Sequence, residues 1–125
     1  MKKLVFIPLL ISAPALAEWT FVGGTDDFDN YADLATIRKK GDTVKMWVLI
    51  DFKTAQRIGR KTRLSSKRQD ECDCDGERSR TLYFSWHSGN MGGGNVVHSN
   101  ASPSEWQPVA PESIDEGLWK IACKP

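Results

Sequence analysis

Residues Thr43 to Lys53 read TVKMWVLIDFK. Val44, Met46, Val48, Ile50 and Phe52 alternate with Lys45, Trp47, Leu49, Asp51 and Lys53. A period of two marks a strand, because successive side chains point to opposite faces. The first set is wholly apolar and the second mixed. That pattern predicts a central antiparallel strand with one face covered.

Moving outward toward the C-terminus, Gln56 to Thr62 reads as a basic loop containing Gly59, and Leu64 to Cys74 as a polar strand. Asp75-Gly76 is a hairpin turn signal. Arg78 to Ser88 (RSRTLYFSWHS) is a second clear strand, with Leu82, Phe84 and Trp86 on one face and Tyr83, Ser85 and His87 on the other. Gly89 to Asn95 (GNMGGGN) reads as a flexible hairpin loop. A phosphate cradle is the poorer reading, since no strand-to-helix junction and no Lys-Ser/Thr pair completes a P-loop. Val96 to Ser99 forms the last strand, and a polar loop follows over Asn100 to Glu105. From Ser113 the period changes. Ser113 and Glu116 have capping-box spacing, and Ile114, Leu118, Ile121 and Ala122 share one helical face.

Toward the N-terminus, Gly41-Asp42 is a turn. Asp33 is expected to cap a helical turn through Thr36 and Ile37, and Tyr31-Ala32 to begin a short second strand. Thr25 to Asn30 reads as an acidic turn, and Glu18 to Gly23 as the first strand. The predicted fold is α+β and mainly β: an antiparallel sheet of about six strands with one short C-terminal helix packed on its apolar face.

The chain opens with Lys2 and Lys3, an apolar run from Leu4 to Ile11, and small residues at Ala15 and Ala17. This is the three-part export signal, and residues 1–17 are expected to be a cleaved signal peptide. The apolar run is too short for the ~20 residues of a membrane span. Cleavage after Ala17 of the 125-residue chain leaves 108 residues, one domain over 18–125. It leaves 15 basic and 16 acidic residues, a net charge of −1, which argues against bulk binding of nucleic acid or anionic lipid. Charge is locally segregated. Arg57 to Arg68 carries six basic residues and no acid, while Asp70 to Glu77 carries five acids and no base.

The cysteines are Cys72, Cys74 and Cys123. An exported chain meets an oxidising compartment, so one pair is expected to close. A bond between Cys72 and Cys74 would make a strained small ring, so the expected bridge runs from one of them to Cys123. It would close a loop of about fifty residues and contribute on the order of 3–4 kcal/mol.

Candidate chemistry is sparse. Cys72-Asp73-Cys74 is a poor redox pair, because Asp70, Glu71, Asp73 and Asp75 favour the neutral thiol. Zinc could recruit Cys72, Cys74, His87 and His98, yet the paired ligand clusters of structural zinc sites are missing. Asp26, Asp27, Asp29 and Asn30 lack the glycine and glutamate of a calcium loop. No serine lies in a nucleophile elbow. No cofactor or metal site is therefore expected. The basic residues Arg57, Arg60, Lys61 and Arg63 have no evident structural duty and are the candidate binding surface for a polyanion, an acidic protein face or a sulfated glycan. A solvated loop is the plainer reading of the same residues and ranks ahead. Trp47 and Trp86 fit either a dimer face or the core.

Several segments together resemble the surface-adhesin protein E family. They are Trp47 to Phe52 (WVLIDF), Ser65-Ser66-Lys67, Asp73-Cys74 with Glu77-Arg78-Ser79-Arg80, and Trp106 to Ser113 (WQPVAPES) through Trp119 and Cys123. Trp19 to Val22, Tyr31 and Asp33 to Arg38 (DLATIR) fit the same pattern, so the match covers nearly all of the chain after residue 17. The resemblance implies a helix tethered to the sheet by a Cys74–Cys123 disulfide, with Cys72 the remaining thiol. It implies an exported, non-enzymatic binding module with host matrix or serum proteins as partners, and a possible homodimer. Relatives can be lipid-anchored, and no cysteine follows Ala17 here. The expected location is therefore periplasmic or secreted rather than the cell surface. The competing readings are a periplasmic structural or stress-related domain without a host ligand, and a thiol or zinc enzyme.

Overall fold

The strand predicted at Thr43–Lys53 is the middle of a longer one. In the computed structural model, which describes residues 18–124, it runs from Thr43 to Ile58. The expected signal peptide lies outside the described residues. In chain order the strands are β1 (Thr20–Gly24), β2 (Phe28–Lys40), β3 (Thr43–Ile58), β4 (Lys61–Asp73), β5 (Arg78–His87), β6 (Val96–Asn100) and β7 (Gln107–Pro108), followed by helix α1 (Ile114–Cys123). They form one antiparallel sheet in the order β1-β2-β3-β4-β5-β6, with β7 paired to the far end of β5. From β1 to β6 each neighbour in space is the neighbour in sequence, and short hairpins join β2 to β3 and β3 to β4. In these two hairpins, Gly41 (φ 61°) and Gly59 (φ 63°) take the first turn position in the left-handed region that the hairpin requires.

The alternation in β3 works as predicted on one side. Val44, Met46 and Val48 are buried, and they pack with Ala32 of β2, Cys72 of β4 and Leu118, Trp119 and Ala122 of α1. Helix α1 begins at the expected capping box: the Ser113 hydroxyl accepts a hydrogen bond from the Glu116 N–H at 3.1 Å. Its other end is tied to the sheet by a disulfide between Cys74 and Cys123, with Cα atoms 5.5 Å apart. The Trp119 indole N–H also donates to the Asp73 carbonyl at 3.0 Å.

Four local expectations are corrected. The acidic turn is shorter than predicted: only Thr25–Asp27 turns, and Phe28, Asp29 and Asn30 already belong to β2. The expected helical turn after Asp33 is a bulge inside β2, where register is lost between Asp33 and Arg38. Its bonds are local, as a cap's would be. The Asp33 carboxylate accepts from the Ala35 N–H at 3.2 Å, and the Thr36 hydroxyl donates to the Asp33 carbonyl at 2.6 Å. But Thr36 Oγ1 also accepts from the Trp47 N–H at 2.9 Å, which keeps the segment in the sheet. The basic loop is not a loop: Gln56 pairs with Arg63, Arg57 with Thr62 and Ile58 with Lys61.

The fourth correction concerns the glycine-rich segment. It does join adjacent strands, but it folds back over the second face of the sheet. The Asn90 side chain donates to the Asp51 carboxylate and the Phe52 carbonyl, both at 3.0 Å, and the Met91 N–H reaches Asp51 at 2.8 Å. Ser65 donates to the Gly89 carbonyl at 2.6 Å and accepts from the Gly92 N–H at 2.9 Å. Leu49 and Ser65 are fully buried on this face, and His87 is 6% exposed. The "mixed" face of β3 is thus covered locally, by backbone rather than by a second layer.

Candidate functional site

Beyond Phe52 strand β3 has no β2 partner, and before Ser65 strand β4 has no β5 partner. Residues 54–63 are therefore a two-stranded arm extending from the sheet. The four predicted basic residues all lie on it, but in different surroundings. Arg57 and Arg60 are exposed near the tip, and the Arg57 Nε–H donates to the Gly59 carbonyl at 3.3 Å. Lys61 bends toward β6, where its Nζ lies 3.0 Å from His98 Nδ1. Arg63 turns onto the sheet. Its guanidinium carbon stands 4.7 Å from the centre of the Phe52 ring and 4.6 Å from that of Trp86.

The two charge runs fare differently. The acids of β4 are matched: Asp70 by Arg68 at 2.9 Å, Glu71 by Arg80 at 2.8 Å and Asp73 by Arg78 at 2.8 Å. The Arg78 hydrogen bond and the Gly76 N–H hold the Asp73 carboxyl below its ordinary range. Burial pushes the Asp70 carboxyl up in spite of Arg68 beside it. None of the described ion pairs involves a basic residue of the arm. The exposed arm residues Arg57, Arg60 and Lys61 thus carry charge that no described carboxylate neutralises.

Register assembles a second feature that the linear sequence does not show. Asn30, Ile50, Ser66, Trp86 and His98 are successive cross-strand partners from β2 to β6. They form one row on the helix-side face, beside Ala32–Val48–Arg68–Phe84 in the next row. Helix α1 covers the second row near Val48; in the first row Asn30 and Ser66 are buried, while Ile50, Trp86 and His98 remain partly exposed. The result is a trough. One lobe of about 450 Å³ is lined by Ile50, Arg63, Phe84 and Trp86, with Ser66, Thr81 and Ser104 hydroxyls at its sides. A lobe of about 280 Å³ continues from Ile50 and Arg68 to Phe28, Asn30 and the N-terminal turn of α1.

The trough holds two unmatched donors. Asn30 is only 3% exposed, and its Nδ2 has no hydrogen-bond partner among the described residues; the same is true of Arg63 Nε. Burial lowers the Arg63 guanidinium pKa, with no carboxylate to oppose it. Buried polar groups are nearly always paired, so two orphaned donors in adjoining lobes, Arg63 in one and Asn30 in the other, are notable. A smaller cavity of about 220 Å³ beside the disulfide is lined by Ile37, Val44 and Ala122, and it contains neither orphan.

The thiol and histidine candidates are not brought together. Cys74 is consumed in the disulfide, and Cys72 is buried under α1. Burial, reinforced by Asp70, pushes the Cys72 thiol up to about 12, so at neutral pH it is protonated and a poor nucleophile. His87 and His98 sit on opposite faces. His87 Nε2 lies 2.7 Å from Ser85 Oγ, under the glycine-rich segment, whereas His98 packs 4.7 Å from Trp86 in the trough. Trp47 packs edge-on against Tyr83, 5.7 Å between centroids, on the face away from α1. Sequence reasoning missed Asn30, Phe52 and Trp86 as site residues. Only the alternation in β3 and β5, which put Ile50 with Phe52 and Phe84 with Trp86, pointed that way.

The model of the family described as surface-adhesin protein E matches residues 19–124. The chain belongs to the surface-adhesin protein E family. Among solved structures, Haemophilus influenzae protein E in its second crystal form superposes with a TM-score of 0.64 at 9% identity, covering 82% of this chain and 91% of that one. Protein E from non-typeable Haemophilus influenzae gives a TM-score of 0.63 at 11% identity, covering 88% and 79%. At such identities the likeness concerns the fold. No curated protein sequence matches the chain. The family is one of surface adhesins, which are exported or surface-associated proteins. No helix among the described residues is long and apolar enough to cross a membrane.

Proposed function

We propose that this protein E-family chain is an exported, non-enzymatic binding module that engages acidic faces of host matrix or serum proteins, or a polyanion, through the β3–β4 arm. The observation that carries this reading is the unequal fate of its charges. The acids of β4 are neutralised within the fold, whereas Arg57, Arg60 and Lys61 stand exposed with no described carboxylate partner. Exposed cations on a projecting hairpin attract and orient acidic partners, in a salt-dependent way. With residues 1–17 read as an export signal and no cysteine directly after Ala17, the proposed location is the periplasm or the medium.

The test is surface-immobilised binding of purified protein to matrix proteins, serum proteins and heparin. Wild type is expected to bind at least one of them, with affinity falling as salt rises. The Arg57→Glu/Arg60→Glu variant should lose roughly tenfold or more, as removal of about 1.4 kcal/mol would produce. Absence of binding across the whole set, with cell fractionation finding only periplasmic protein, would instead favour a periplasmic structural domain.

A further inference from the structure

The trough at the base of the arm is chemically unlike the arm itself. Its floor is apolar, from Ile50, Phe84 and Trp86. Its unmatched polar groups are both donors: Asn30 Nδ2 and Arg63 Nε. Arg63 carries a full charge, and no carboxylate among the described residues lies within ion-pair distance of it. The neighbouring Arg68 is already committed, to Asp70 at 2.9 Å and to Asp115 at 3.3 Å. An occupant must therefore bring acceptors and one negative charge, and must also offer apolar surface.

We infer that the trough is a docking groove for an extended segment of a partner protein that carries a glutamate or aspartate between apolar side chains, the carboxylate meeting Arg63 and a backbone carbonyl meeting Asn30. Three further points select a peptide. Across β2 to β5 the row measures three strand spacings, roughly 14 Å, which an extended chain spans in about four or five residues. A sugar ring would need open aromatic faces, but Arg63 lies over both Phe52 and Trp86, and His98 packs against Trp86. A sulfated chain wants several cations in line, and the trough offers one uncommitted guanidinium. Once side-chain rotation uncovers the two buried nitrogens, a charge-assisted bond from Arg63 to a carboxylate and a carbonyl on Asn30 would satisfy both orphans at once. This inference rests on the reading of the chain as a binding module. It adds a specificity element to an arm that would otherwise act by charge alone.

The experiment uses purified protein and acetylated, amidated pentapeptides of valine and threonine, with one glutamate moved through the five positions, each beside its glutamine twin. Binding is followed by the NMR signals of the Asn30 side-chain amide and the Arg63 Nε–H. At least one glutamate peptide should shift both signals and bind at least tenfold tighter than its twin. Arg63→Gln should erase that preference, while Arg57→Gln/Arg60→Gln should keep it and lose heparin binding. The inference is overturned if no peptide moves the two wild-type signals at millimolar concentration, or if the preference survives Arg63→Gln. It is equally overturned if a heparin tetrasaccharide moves both signals more tightly than any peptide. The wild-type signals stand whether or not the variant folds. Loss of the peptide effect with heparin and matrix binding intact would remove the groove and leave the arm.

Discussion

The two ends of the helix-side face are made from the same strands and serve different purposes. At the Val44 end, Val44, Met46, Val48, Ala32 and Cys72 lie under α1, which is capped at one end by Ser113 and bonded through Cys123 at the other. At the Ile50 end the floor remains apolar, but no helix covers it, and the adjoining positions carry Arg63, Asn30 and His98. The difference shows where stability and recognition divide. A small domain cannot close its entire apolar face with ten helical residues. Here the uncovered part is braced from behind by the glycine-rich segment and furnished with unpaired donors.

That division predicts unequal costs. The largest should come from releasing the helix at the closed end. Cys74→Ser/Cys123→Ser opens a loop with 49 residues of separation, and should cost about 4 kcal/mol in urea unfolding. Next is the core under the helix. Met46 is fully buried, and Met46→Ala should cost about 3 kcal/mol. Ile50, two residues along the same face of β3 but only half-buried, should lose roughly 1 kcal/mol on change to Ala, because less of its surface leaves water on folding. Equal losses at positions 46 and 50 would break the comparison, since they would mean that the trough floor is core and not a surface held open.

The closed end was largely legible in the sequence. The alternation of Val44, Met46 and Val48, the Ser113–Glu116 capping box and the Ile114–Leu118–Ala122 face each state a local preference that the packing then satisfies. The family resemblance supplied the choice of Cys74 over Cys72 for the bond to Cys123. The open end was not legible, for two reasons. Strands such as β2 and the arm are held by ladder bonds to strong neighbours, and their own polar residues carry little strand preference. The trough is a product of register: Asn30, Ile50, Ser66, Trp86 and His98 are far apart in the chain and become a row only when four hairpins set their pairing. Arg63 was singled out as part of a basic loop, while its partners on the sheet gave no signal of their own.

The smallest effect concerns the brace behind the open end, where His87 is buried beside Ser85 and Lys67. Burial, with a contribution from the Lys67 charge, lowers the His87 pKa below its ordinary value of 6.5. A histidine held neutral in the fold takes up its proton more readily when unfolded, so the unfolded state binds more protons as pH falls through 6.5. Stability should therefore be fully present above that pH and decline below it, with a slope of less than one proton. His87→Gln removes the titrating group. It should flatten the stability profile between pH 7.5 and pH 5 in urea titrations, even if it lowers the plateau. The decline should also appear first as faster amide exchange in the glycine-rich segment and in Ser65, before the Val44 end responds. Exchange that accelerates equally at both ends would mean that protonation unfolds the sheet as one unit, and that the brace is not a separate element of the open end.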